Sequence, residues 1–193
     1  MSATDSPQPS RTTAPSAGLA APGLARRLAC GGYDALLVAS LCILATFCIV
    51  AFARGKGVDS FYAGSPGAKL FYQLGLLALG YAFFGGFWTH GGQTLGMCAW
   101  RVRVICMDGA GLGWYRALLR YLTMLIPWLL LVLGSELLFN AQAQPEPGLH
   151  HIAAPLTLLL ALLGFIWPRL DTRGFAWHDH LSGTRVVLLS KEA

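Results

Sequence analysis

The chain has 193 residues, of which 55% are apolar and only 12% charged, with a formal net charge of +5. A soluble domain carries about 25% charged residues, so this composition, with a mean hydropathy of +0.55, excludes an ordinary water-soluble domain. The basic residues stand apart at the ends of apolar runs, so membrane topology accounts for them better than a nucleic-acid partner does.

Residues 1–23 are rich in Ser, Thr, Pro and Ala and are expected to form a disordered tail, leaving 24–190 as the membrane domain. Arg26 and Arg27 then lead into an apolar run from Tyr33 to Ala53, 21 residues long. At about 1.5 Å per residue that run spans a hydrocarbon core of roughly 30 Å as a helix. It is longer than the apolar stretch of a cleaved signal, Asp34 interrupts its start, and more spans follow, so it reads as an uncleaved first span. Arg27 and Asp34, seven residues apart, lie on nearly one helix face. The polar segment 54–69 carries Arg54, Lys56 and Lys69.

The second span is expected over 70–88, with Phe71, Tyr72, Phe87 and Trp88 as interfacial anchors. Ala78, Ala82 and Gly86 form a stripe along which another helix can approach closely. The segment from His90 to Tyr115 is too polar to span. Trp100 to Ile105 alternates like a strand, Asp108-Gly109 supplies a turn, and Thr184 to Leu189 is a second β-branched stretch. An isolated strand would leave its backbone unpaired, so these two are expected to pair with each other. The third span is expected over 117–139, entered at Arg116 and Arg120, with Pro127 inside and Glu136 near its exit. A polar loop follows over 140–151, and a fourth span over 152–168 is closed by Pro168-Arg169.

With both termini on one side, that side holds 11 of the Lys and Arg residues and the other only three, which places both termini in the cytoplasm. The expected fold is therefore an all-α membrane protein of about four transmembrane helices with a small cytoplasmic β-strand pair. The five cysteines, odd in number and without a CxxC, read as reduced thiols.

These residues in this order resemble the RDD family of membrane proteins, named for one arginine and two aspartates. The correspondence runs from Arg27 and Asp34, through Gln93-Thr94-Leu95-Gly96, Arg101 to Val104, Asp108-Gly109 and Arg116 to Arg120, to His178, Asp179, Thr184 and Val186. It breaks at Met97, where the family commonly has lysine, so the charge that lysine would bring to lipid or to a carboxylate is missing. The resemblance implies a bacterial inner-membrane location and transport of an unidentified ligand or cation/proton exchange. It makes Arg27, Asp34 and Asp179 the signature residues.

Asp34 has two readings. As an acid inside an apolar run it can carry a proton or coordinate a cation. Alternatively it pairs with Arg27, Arg101, Arg103 or Arg120 and locks the first helix to the strands, the role favoured by its place near the cytoplasmic end. Asp179 is expected to bond to the Arg101–Val104 strand. His178 and His180 flank it without enough further ligands for a metal site. Glu136 with Gln73 suggests an outer cation entry, although reaching for the interface is the simpler account. No nucleophile elbow, HExxH, phosphate loop or dinucleotide fingerprint is present, so neither an enzyme nor a cofactor is expected. The partners implied are the lipid bilayer, a small cation or unknown ligand and, because four spans are few for a pathway, a second copy of the chain. The competing function is a non-transporting scaffold that docks a cytoplasmic partner.

Overall fold

A computed structural model describes residues 20–52, 57, 66–143 and 148–189. The expected tail over 1–23 and loop over 54–69 therefore lie mostly outside the described residues. In chain order the elements are α1 (Leu24–Phe52), α2 (Pro66–Gly91), α3 (Leu95–Ala99), β1 (Val102–Cys106), α4 (Trp114–Ala143), α5 (Leu149–Leu170), α6 (Trp177–Ser182) and β2 (Thr184–Leu188). Four of them, α1, α2, α4 and α5, are long and apolar enough to cross a membrane. Their large side chains stay exposed along the helices, Ile43, Phe47, Leu129 and Leu159 among them, as a lipid-facing surface requires.

All four helices outrun the apolar runs that mark them. Seven of the twelve residues of the loop expected over 140–151 are helical, because the end of α4 and the start of α5 take in its flanks. Pro127 sits inside continuous helix, as expected, and so do Pro155 and Pro168, although Pro168 is expected to close the fourth span. Membrane helices tolerate this because neighbouring helices and Ser or Thr hydroxyls satisfy the backbone that proline disturbs.

Close helix packing falls elsewhere than on the expected stripe. Ala78 and Ala82 are exposed, and a Cβ on Gly86 would meet nothing within 4 Å. The tight approaches of α2 are at Gly80, whose Cβ would lie 2.5 Å from the Tyr121 hydroxyl, and at Gly85, 3.0 Å from Trp114. Tyr121 donates to Leu77 O at 3.0 Å across the same seam. Periodicity alone detects a row of small residues but not which way the row faces. The most extensively packed pair is α4 with α5: a Cβ on Gly134 would come 2.8 Å from Leu158, and one on Gly164 would come 2.9 Å from Pro127. Ala154 and Ala161 are fully buried in α5.

β1 and β2 pair antiparallel with Val104 opposite Val186, as the alternating pattern predicts, although β1 starts two residues later than expected. Val102, Val104 and Cys106 turn one face inward and join Cys30, Trp88, Ala117 and Tyr121 in the core. Both outer edges of the sheet are hydrogen-bonded to other segments of the chain. Val104 N–H donates to Gly92 O at 2.7 Å, Gln93 Nε2 to Val102 O at 2.8 Å, and Leu188 N–H to Ala20 O at 2.9 Å. Gly92 has φ +69°, and a Cβ there would meet Val104 O at 2.6 Å, so this crossing admits only glycine. The first and last described residues thus lie at the same end of the bundle, which we call the sheet end.

Candidate functional site

Asp179 sits on α6 and is completely buried. Its carboxylate accepts from Arg27 Nη1 on α1 at 3.0 Å, from Arg120 Nη1 on α4, and from the backbone N–H of Ala176 at 2.9 Å. The last bond makes Asp179 the reaching-back half of a capping box, which fixes the start of α6. Gly183, in the left-handed conformation at φ 63°, ends that helix and turns the chain into β2. Arg120 also donates to Thr184 Oγ1 at 2.7 Å, and its guanidinium lies over the Trp88 ring, 5.2 Å from the centroid. Arg27 completes its fork on Gly174 O at 2.7 Å and Pro22 O at 3.3 Å. One carboxylate thereby ties together α1, α4, α6 and, through Thr184, β2. Burial alone would push the Asp179 carboxyl up, but Arg120 and Arg27 outweigh it and hold the group far below the usual carboxylate range.

Asp34 is equally buried, at 2% exposure, and does something else. It lies on nearly the same face of α1 as Arg27, but the two do not pair. Asp34 Oδ2 accepts from Thr94 Oγ1 at 2.5 Å, and Oδ1 accepts from the backbone N–H of Gly96 at 2.9 Å. Thr94 is the N-cap of α3, and its hydroxyl also receives the Met97 N–H at 3.2 Å. The acid therefore seats on the amino end of a short helix. Glycine at 96 makes the seat possible, since a Cβ there would lie 2.6 Å from Cys30 O and 2.9 Å from Asp34 Cγ. Among the described residues no arginine or lysine forms an ion pair with Asp34.

These placements correct several expectations. Asp34 pairs with none of Arg27, Arg101, Arg103 or Arg120, because Asp179 takes up both Arg27 and Arg120. Asp179 bonds to arginines and to its own helix instead of to the β1 backbone. Arg101 and Arg103 are exposed and form no ion pair among the described residues; Arg101 has φ 55° where the chain enters β1. Glu136 and Gln73 are exposed on their helices. Glu136 lies 16 residues along α4 from Arg120, roughly 24 Å away, so it is no part of the site. His178 Nε2 stands 3.8 Å from Asp179, and His180 faces Asp171 at 3.6 Å. Among the described residues no three His, Cys, Asp or Glu side chains gather as a metal site.

Sequence reasoning missed the roles of Thr94, Gly96, Thr184 and Trp88. A threonine just before a short apolar stretch is an N-cap signal that would have pointed to α3 and its open amino end. The others depend on contacts between residues 32 to 64 apart in sequence, which no local pattern carries.

Asp34, Arg27, Arg120 and His178 all border a cavity of about 440 Å³ between α1 and the α4–α5 pair, floored by Val102, Ala176 and Val186. Met97 lines the same cavity. The lysine common in the family would bring an ammonium to that wall; here it stays without one.

His178 gives the site a pH signature. Burial first, and then the nearby Arg120, push its imidazole down from 6.5 to about 3. The folded protein thus keeps His178 neutral while the unfolded chain takes up a proton below about pH 6.5. Stability is therefore complete above that pH and falls as pH is lowered from about 6.5 towards 3, by at most about 1.4 kcal/mol per pH unit. Thermal unfolding in detergent should show this slope in the wild type, and His178→Gln should flatten it.

Four apolar spans closed at one end by a strand pair and a buried ion cluster define a polytopic membrane protein. The RDD family model matches residues 21–183, most of the chain, and the chain belongs to that family. Comparison with curated proteins and with solved structures finds no match.

Proposed function

We propose that this chain is a proton-coupled exchanger of a small cation or similar ligand, with Asp34 as the group that carries the proton. The observation behind this reading is that Arg27 and Arg120 are both spent on Asp179, which leaves Asp34 buried at a cavity wall with, among the described residues, only a hydroxyl and an amide for partners. An ionised carboxylate in such a setting is costly unless a cation joins it. Exchange of a proton for a cation follows from that chemistry, and Met97 leaves the position free of a resident ammonium. The distribution of Lys and Arg supports an orientation with the sheet end and both termini in the cytoplasm, and the family resemblance supports a bacterial inner membrane. Four spans are few for a complete pathway, so the working unit in this reading is a homo-oligomer.

The closed cluster of Arg27, Asp179 and Arg120 favours a second reading, a scaffold whose sheet end docks a cytoplasmic partner. Flux separates the two. In proteoliposomes under sodium, potassium or lithium gradients, the wild type should move protons, and Asp34→Asn at matched insertion should not. Absence of flux from the wild type under all three gradients would leave the scaffold.

A further inference from the structure

The cavity between α1 and the α4–α5 pair has features that proton exchange does not use. Its walls are apolar over most of their area, with Leu28, Met124, Trp128, Leu131 and Phe165 prominent. Leu28, Trp128 and Leu131 are also exposed, so the space opens sideways to the bilayer at the depth of the spans. On α1, Gly31 and Gly32 border it, and a Cβ on either would meet nothing within 4 Å. The wall has been left hollow where a side chain would fit without strain.

The polar end has the opposite character. Trp88 Nε1, Arg120 Nε and His178 Nδ1, all on residues that border the cavity, are buried without a hydrogen-bond partner among the described residues. Trp88 and Arg120 are 1% and 2% exposed, so bulk water does not serve them. Buried polar atoms are normally satisfied, and each exception calls for an occupant or a reason. Arg27 and Arg120 share the single carboxylate of Asp179, which leaves an excess of positive charge at this end whenever Asp34, held by Thr94 and Gly96, is neutral.

We propose that this cavity binds a single-chain amphiphile with an anionic head, of the long-chain carboxylate class. The chain lies between α1 and α4, and the head meets the unpartnered donors beside Trp88 and Arg120. The volume falls within the roughly 300–1,000 Å³ of small-molecule sites. A head that accepts hydrogen bonds and carries negative charge answers both the orphaned donors and the charge excess; a cationic head answers neither. The inference goes beyond proton exchange and does not rest on it.

The test is photolabelling of the intact protein in nanodiscs of zwitterionic lipid, using dodecanoate with a terminal diazirine, and mapping the adducts by mass spectrometry. Label should fall on the peptides carrying Leu131 and Phe165, at the end of the cavity away from Arg120. Unlabelled dodecanoate should compete it away, and dodecyltrimethylammonium should not. Gly31→Leu and Gly32→Leu, each placing a side chain in the hollow, should lose the label while keeping the wild-type elution volume and melting temperature. Two separate glycine variants keep the test informative if one misfolds. Label that persists in the folded variants, or that the cationic amphiphile competes equally, would overturn the proposal. So would labelling of the same peptides by a diazirine phosphatidylcholine that dodecanoate does not displace, which would make the cavity a crevice for bilayer tails. Cation-driven proton flux is read separately, so failure of either proposal leaves the other standing.

Discussion

Asp179→Asn should collapse the sheet end of this protein. The substitution keeps the volume of the side chain but removes the anion between two guanidiniums, one of which is 98% buried. Breaking a buried pair from one side costs about 3–5 kcal/mol, because the remaining charge is left uncompensated. Here a single substitution strands two. The loss reaches α1 and α4 through Arg27 and Arg120, the start of α6 through Ala176, and β2 through Thr184. Urea titration in mild detergent, with tryptophan emission as the readout, should show the loss, since Trp88 lies under Arg120 and Trp177 opens α6. The exposed pair of Asp108 and Arg116 makes a useful contrast. It is well formed at 2.6 Å, and the hydrogen-bonded Arg116 guanidinium holds the Asp108 carboxyl at about 2, yet both side chains face water. Asp108→Asn should therefore have little effect. Equal damage from the two aspartate variants would show that the buried cluster does not hold the sheet end together.

Gly96→Ala should separate α3 from α1. The added methyl would overlap Cys30 O and the Asp34 carboxyl, and the overlap is with backbone and with a short, fully engaged side chain that cannot swing aside. Overpacking of this kind costs about 1–3 kcal/mol. The same shift would lengthen the bond from Gly96 N–H to Asp34 and loosen the one from Thr94. Gly86→Ala on α2 is the matched control, because nothing lies within 4 Å of the new methyl. The Gly96 variant should melt well below the control and should expose Cys30 to a thiol reagent, since that cysteine is 3% exposed beneath α3 in the native fold. Equal melting of the two variants, with Cys30 still protected, would contradict the seating of Asp34 on α3.

Much of the architecture was legible in the chain. Apolar runs long enough to span announce themselves by length alone, and Trp100 to Ile105 and Thr184 to Leu189 carried the alternation of paired strands. Their pairing followed from the need to satisfy backbone groups. The helix ends were less legible, because residues such as Asn140 and His150 continue the helix beyond the hydrocarbon zone where polarity is no longer penalised. The signature residues were legible as a set but not as partners. The seven-residue spacing of Arg27 and Asp34 suggests a pair, yet geometry along one helix says nothing about competitors from elsewhere in the chain. Asp179, 152 residues away from Arg27, wins that competition because α6 delivers it between two arginines at once. Asp34 then falls to Thr94 and Gly96, whose part is visible only when α3 is seen end-on.

The proposed division of labour between the two aspartates is the centre of the account: Asp179 is a fixed anion within the ion cluster, and Asp34 is the carboxyl we propose to gain and lose a proton. Infrared difference spectroscopy of protein labelled with carbon-13 aspartate reads that claim directly, through the carbonyl stretch that a carboxyl shows only when protonated. Lowering the pH should bring up one such buried band in the wild type and in Met97→Leu, and none in Asp34→Asn. A buried carboxyl band that survives unchanged in Asp34→Asn, or a wild type without one, would contradict the assignment of the proton to Asp34.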